Sequence, residues 1–416
     1  MEERGSISRR DFAKASALAG FAVISARAGV AATNTDTLKI GLIGCGGRGT
    51  GAAVNCLTGV ENIKLVAMAD TFPDKIEACL KNLEKAGDKI WGKVDVKPDM
   101  QFVGLDAYQK LLKTDVDVVI HATPPYARPL HVEAVINAGK HLFTEKPVAV
   151  DPVGIRRVLA AAKKAQDNKQ CIVTGLQRRH QLPYIETIKQ LQDGKIGQIV
   201  AGRAYWNGGL PFSHLRKDGW NDLEYRLRNW YNQCWTCGDN IVEQHVHNLD
   251  VLNWVLGGHP EKVTASGGRA WKPVEERFGD IWDNFSCDYT YANDVHVLSM
   301  SRHWNDTAND VSEHVVGTTG VSNCQDLAKG GIDPYVQEHI DLFAAIRGEA
   351  PYANELFRTA ESTMTAIMGR MAAYTGEELT WDKALNSDLS IVPEVLDFDK
   401  SYPVGPIPVP GKKYKG

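Results

Sequence analysis

The chain has 416 residues, a net charge of −4 at pH 7, 43% hydrophobic and 24% charged residues, which is enough for two domains with full cores. That charge balance carries no polyanion-binding signal and sets nucleic acid aside as a partner; after the first residues, no run of about 18 apolar residues offers a membrane span. The eight cysteines (45, 56, 79, 171, 234, 237, 287 and 324) are scattered, unlike a disulfide-dense scaffold.

The N-terminus reads as an export signal. Ser8-Arg9-Arg10-Asp11-Phe12-Ala13-Lys14 is a twin-arginine pattern, a soft apolar run follows to about Ala28, and small residues end it at Ala26-Arg27-Ala28 or Val30-Ala31-Ala32. Residues 1–32 are therefore assigned to a signal. A periplasmic or otherwise exported location follows, with the twin-arginine translocon as a transient partner.

The mature chain opens on its most informative stretch. Leu38-Lys-Ile-Gly-Leu-Ile43 is a short apolar strand that runs into Gly44-x-Gly46-x-x-Gly49, then a helix-compatible stretch, then a second strand ending in Asp70. Gly44 permits the tight turn, Gly46 admits a pyrophosphate to the backbone amides, and Gly49 lets the helix pack close to the sheet. Asp70 lies roughly twenty residues past the last glycine, where a carboxylate accepts from a ribose hydroxyl and repels a 2′-phosphate. The fingerprint therefore calls for NAD rather than NADP. Gly47 and Arg48 lie inside the same turn.

A lysine-rich helix follows over roughly 74–88, and a short one from Asp106 to Leu112. Val116–Ala122 is a buried strand ending in Thr123-Pro124-Pro125. Leu130–Ala138 is helical, His141–Thr144 is a strand ending in Glu145-Lys146-Pro147, Asp151 caps a helix to about Asp167, and Cys171–Gly175 gives a last strand. Strands alternating with helices imply an α/β doubly wound parallel sheet, a Rossmann domain over 37–175, with Gly44, Asp70, Thr123 and Glu145 at one ligand-binding edge.

From about Gln177 the texture changes. Ile199–Trp206, Lys262–Gly267, Phe285–Tyr291 and His296–Arg302 alternate apolar and polar residues, which predicts an α+β domain with a large, mostly antiparallel sheet over 176–400, helical at 335–374. Residues 401–416, rich in proline and glycine, form an extended tail lying on the surface or on a neighbouring subunit. Cys234-Trp-Thr-Cys237 lacks the further ligands a zinc site needs; it reads as loop or core cysteines, open to pairing after export. No metal is assigned.

Glu243, His247 and Asp250 fall at helical spacing on one face, with Val246, Leu249, Leu252 and Val255 opposite, which predicts a half-buried helix. His245 points elsewhere. Alone, such a Glu-x-x-x-His pair reads as an ordinary satisfied histidine.

Taken in order, the glycine turn, Ala122-Thr-Pro-Pro, Gly139-Lys-His-Leu-Phe-Thr-Glu-Lys-Pro147 and the Glu243/His247/Asp250 segment resemble the glucose–fructose oxidoreductase, inositol dehydrogenase and rhizopine-catabolism (Gfo/Idh/MocA) family. The resemblance spans nearly all of the chain after residue 37. It implies that Lys146 and His247 are catalytic, that Glu243 stands where an aspartate is usual, and that Asp250 matches a trailing aspartate. Two residues depart from the pattern: His245 replaces a glycine, and Arg128 sits where a histidine often follows the Thr-Pro motif.

Oxidation of an alcohol carbon needs a base and a stabiliser for the developing oxyanion. His247, titrating in the useful range, is assigned as acid/base, Lys146 as oxyanion stabiliser and relay, and Glu243 as the group that orients His247. Thr123, Pro124, Glu145 and Lys146 join the glycine turn and Asp70 as cofactor-binding residues. Residues 205–235 are dense in aromatics. Trp206, Trp230 and Tyr231 are assigned to pack on a sugar ring, and Arg178, His180 and Asn207 to bond its hydroxyls. The resemblance implies a sugar, glycoside or polyol substrate and a homo-oligomer. Because an exported enzyme has no NAD pool to draw on, the cofactor is expected to stay tightly bound. A redox-neutral glycoside hydrolase or lyase, working by transient oxidation and elimination, is the alternative.

Overall fold

The computed structural model describes residues 36–412. The twin-arginine segment lies outside the described residues, as do the last four residues of the tail. Among the described residues no helix is long and apolar enough to cross a membrane.

The first lobe is a parallel sheet of β1 (Leu38–Ile43), β2 (Ile63–Asp70), β3 (Gln101–Val103), β4 (Val118–His121), β5 (His141–Thr144) and β6 (Ile172–Thr174), in the order β3-β2-β1-β4-β5-β6. Its strands are apolar on both faces because helices cover both: Ile40, Leu42, Val118, Val119 and Ile120 are all buried. The crossovers include α1 (Gly47–Gly59), α2 (Pro73–Lys85), α3 (Arg128–Asn137) and α4 (Pro152–Asp167). Asp151 caps α4 by accepting from the Gly154 amide at 2.7 Å, and Ile155, Val158, Leu159, Ala162 and Ala165 form the stripe that faces the sheet. Strand order reverses between β1 and β4, so the crossovers diverge there and open a crevice at the strands' carboxyl ends.

The second lobe carries α5 (Asp222–Arg228), α6 (Asn240–Glu243) and α7 (Val246–Leu256), followed by most of a larger sheet. That sheet contains β7 (Ile199–Gly208), β8 (Lys262–Gly268), β9 (Asn284–Tyr291), β10 (Val295–His303), β11 (Asp310–Gly317), β12 (Val321–Ser322) and β13 (Leu379–Thr380). Its order is β12-β11-β7-β10-β9-β8-β13, antiparallel except for the central β7–β10 pair. Along β10, Val295, Val297, Ser299, Ser301 and His303 are buried while His296 and Leu298 are exposed, the alternation of a sheet covered on one face. The cover is α7 against β7 and α9 (Leu356–Thr375, after α8, Pro334–Arg347) against β8.

Two local readings are corrected. The helical stretch 335–374 is two helices, because Ala353–Glu355 runs along the edge of β6: Ile172 donates to the Ala353 carbonyl at 2.8 Å and Glu355 donates back to Ile172 at 3.1 Å. Its first half, α8, packs on α1 of the first lobe. The Glu243–Asp250 helix is likewise broken, between α6 and α7, and α7 is buried at every position from Val246 to Asn253 rather than on one face. All eight cysteines are buried, Cys234 and Cys237 included.

Candidate active site

The crevice has a volume of about 1010 Å³, at the upper end for ligand clefts. Its floor is the glycine turn. Gly44 has φ +92°, and a Cβ on Gly49 would stand 1.8 Å from the Gly44 carbonyl oxygen, so neither position takes another residue. At Gly46 and Gly47 an added Cβ would meet nothing within 4 Å. No side chain caps α1 there, so its first amides face open space, a seat for a pyrophosphate.

Asp70 ends β2 at the rim. Its carboxylate accepts from the Cys45 amide at 2.7 Å and the Phe72 amide at 2.9 Å. Burial pushes its pKa up and the two amides oppose the shift. Both bonds fix the carboxylate where a ribose would lie. These residues fit NAD. Thr123 and Pro124 line the crevice beside the turn. Glu145 is ion-paired with Arg48 Nε, and the same guanidinium reaches Glu338 of α8 at 3.4 Å and lies 4.9 Å from the Tyr335 ring centre.

At the other end of the crevice the two lobes meet. Lys146, just past β5, has its Nζ 2.5 Å from the Glu243 carbonyl oxygen and 3.2 Å from Glu243 Oε1. The Lys146–Pro147 peptide is cis. Burial raises the Glu243 pKa and Lys146 opposes that shift. His247 stands close by on α7, stacked at 23° on Trp206 with ring centres 6.0 Å apart. Its Nδ1 is buried without a partner among the described residues, which leaves Nε2 as the nitrogen toward the crevice. Burial, then the charges of Lys146, Arg178 and Arg48, hold its pKa well below the ordinary histidine value. The imidazole is therefore neutral across the physiological range instead of titrating within it. Glu243 does not orient it: the carboxylate is committed to Lys146 because the break between α6 and α7 turns it toward β5.

Trp206, Trp230, Tyr231 and Arg178 line the crevice. Arg178 is held by Glu313, and the Tyr231 hydroxyl is 3.4 Å from His303 Nε2. Three expected residues are elsewhere. His180 is buried between Asp341 at 2.5 Å and Glu355 at 3.3 Å; burial works against its charged form, but the two carboxylates outweigh it and raise the pKa to about 10. It serves as a structural cation between the lobes, away from the crevice lining. Asn207 is buried in β7, one residue past Trp206, and so lies on the other face of the sheet from it. Asp250 forms a two-point ion pair with Arg179, at 2.8 and 2.9 Å, and accepts from Ser362 at 2.7 Å. One helical turn beyond His247, it locks α7 to the core.

Several residues that line or support the crevice escaped the sequence reading. His121 holds the floor, with Nε2 2.7 Å from Thr123 Oγ1 and Nδ1 3.0 Å from Thr144 Oγ1. Arg128, noted only as a departure, donates to the Thr123 carbonyl at 2.9 Å and the Pro147 carbonyl at 2.6 Å, bracing both loops. The strand-end position of His121 was a usable signal. Tyr335, Ser390, Val392, Pro393, Glu394 and Leu396, which also line the crevice, had no local signal at all.

Comparison with known proteins agrees with this geometry. Residues 38–173 match the oxidoreductase family with NAD-binding Rossmann fold, and residues 184–322 match the Gfo/Idh/MocA C-terminal domain. The chain belongs to the Gfo/Idh/MocA family and is an NAD-dependent oxidoreductase. It is similar to inositol 2-dehydrogenase of Rhizobium meliloti (strain 1021), 26% identical over 343 residues, covering 80% of this chain and 89% of the relative. It is also similar to scyllo-inositol 2-dehydrogenase (NAD(+)) of Bacillus subtilis (strain 168), 24% identical over 289 residues, covering 68% and 72%. In fold it matches the crystal structure of scyllo-inositol dehydrogenase from Lactobacillus casei with bound NAD(H) and scyllo-inositol. The TM-score is 0.65 at 17% identity, covering 83% of this chain and 99% of that one.

Proposed function

We propose that this enzyme oxidises a secondary CH–OH group of a ring polyol or sugar, with Lys146 and His247 as its catalytic residues. The observation that carries the reading is that one crevice joins the uncapped start of α1 to Lys146, His247 and Trp206. When bound, NAD supplies the hydride acceptor. The α1 amides and Asp70 would hold it, with Thr123 and Pro124 beside it. Trp206, Trp230 and Tyr231 present aromatic faces that suit the C–H faces of a saturated ring, and two relatives are named for inositols.

His247 Nε2, neutral at physiological pH, takes the hydroxyl proton. Lys146 Nζ spends two hydrogens on Glu243, which aims the third at the substrate oxygen and stabilises charge developing there. Glu243 positions that amine. The aromatic walls keep bulk water from the reacting carbon. The twin-arginine pattern supports export of the folded enzyme, and the exposed Leu298 and Val321 of the outer sheet face support assembly with further copies. Titrating NAD-loaded protein with inositols and aldoses tests the function. Growth of the reduced-nicotinamide absorbance band with at least one of them is expected; no change across the panel, in protein shown to hold NAD, overturns it.

A further inference from the structure

From residue 386 to 412 the chain forms no helix or strand, yet it is tied down along its length. A structureless stretch this long in a compact protein commonly has a function. Its start is bound to the first lobe. Arg156 of α4 donates to the Leu385 and Ser387 carbonyls at 2.6 and 2.7 Å, and the Ile391 amide donates to Asp151 at 2.9 Å. Its end is bound to the second lobe. The Tyr402 amide donates to Asp222 at 3.0 Å, Arg226 donates to the Tyr402 carbonyl at 2.8 Å, and Trp282 Nε1 donates to the Pro408 carbonyl at 3.1 Å.

Between these moorings the segment crosses the mouth of the crevice. Ser390, Val392, Pro393, Glu394 and Leu396 line it. Phe398 then meets Phe72 edge-on, with ring centres 6.4 Å apart, and Phe72 follows Asp70 by two residues. Leu396, Phe398 and Tyr402 join Phe72, Leu105, Tyr126 and Trp235 in one small apolar cluster. The receiving surface is clamped from the other lobe: Arg228 of α5 pairs with Asp74 at 2.8 Å and lies 4.0 Å from the Phe72 ring centre. The turn of the segment is stitched internally, Tyr402 donating to the Val395 carbonyl at 2.9 Å and accepting from the Asp397 amide at 2.8 Å.

We propose that residues 388–402 belong to the dinucleotide site: they form its outer wall over the Asp70–Phe72 end and set the rate at which dinucleotide leaves. The proposal rests on the NAD reading of the crevice. A wall tied to both lobes must detach from the Phe72 cluster before a ligand beneath it can depart, so its effect falls on release more than on capture. Lining residues contributed by the far end of the chain also add apolar cover that the first lobe by itself does not supply.

Hydrogen exchange of the full chain, with and without added NAD⁺, tests this directly. Protection of both 44–50 and 390–398 is expected. Protection of 44–50 without 390–398 overturns the strap; protection of neither overturns the NAD reading itself. In parallel, dinucleotide dissociation from loaded protein is timed for Leu396→Ala and Phe398→Ala, each checked by thermal melting, with Val409→Ala, 48% exposed and beyond the wall, as the control. Release about tenfold faster in the first two and unchanged in the third is expected; folded variants that release at the native rate overturn the proposal.

Discussion

Replacing Lys146 with methionine separates what the Lys146–Glu243 pair does for chemistry from what it does for stability. Methionine keeps an unbranched side chain, one atom shorter, and removes the proton and charge. If Nζ supports the substrate oxygen, turnover falls by about 10²–10⁴-fold, or about 2.7–5.4 kcal/mol in the barrier. The stability term follows from Glu243, which is buried and left without its partner 3.2 Å away. An unpaired buried carboxylate escapes its charge by taking a proton. At pH 7, neutralising a glutamate of ordinary pKa 4.5 costs about 3.4 kcal/mol, which caps the charge part of the loss.

The folded variant then holds a proton that the unfolded chain releases, so its deficit shrinks as the pH falls from 7, by up to about 1.4 kcal/mol per unit. The double variant Lys146→Met/Glu243→Gln recovers most of the stability and none of the turnover. Urea unfolding at pH 7 and 5.5, together with single-turnover reduction of bound NAD, measures both. Turnover within tenfold of native in Lys146→Met, or restored in the double variant, refutes a catalytic role for the amine.

Asp70→Asn keeps the shape of the rim but not its charge, and is expected to weaken NAD binding about tenfold or more while narrowing discrimination against NADP, read by calorimetry. Asp250→Asn leaves Arg179 buried without its counter-charge, so a stability loss of about 3–5 kcal/mol is expected in chemical denaturation; single-turnover rates in the surviving folded protein should stay within a few-fold of native, and a selective loss of turnover would return Asp250 to the site. The pH profile of stability is set by buried histidines. Burial lowers His131, His245 and His339 to about 3 each, so below pH 6.5 the unfolded chain takes protons that the folded chain refuses. Each of the three then costs about 1.0 kcal/mol between pH 6.5 and 5.5 and up to about 1.4 kcal/mol per unit below that, so urea midpoints should drop steeply from pH 6.5 to 5.5. His180 acts in the opposite sense: raised to about 10, its contribution is complete below pH 6.5 and fades as the pH rises through 10.

Residues 38–70 were readable because their determinants are local. A strand, a turn that needs Gly44 and Gly49, a helix start and an acid at the next strand end follow from short-range sterics and hydrogen bonding, and Asp151 announces its helix in the same way. Lys146 was visible as a residue at a strand end. Its partner was not, because nothing near Glu243 in sequence says that the helix breaks after it.

His180 and Asn207 were placed in the site by residue type and Asp250 by the family resemblance, since spacing alone cannot tell a substrate-bonding group from one satisfied in the core. Local sequence thus determined the nucleotide-binding half, and the family resemblance, not local pattern, picked out the amine and imidazole that face it. The tertiary structure alone decided which carboxylate holds which cation. Lys146 meets Glu243 across 97 residues and Arg48 meets Glu338 across 290, contacts that exist only once the second lobe has packed and buried them. The same packing lays residues 390–398 over the crevice, because a segment without a hydrogen-bonding pattern of its own takes its path from the surfaces that receive it.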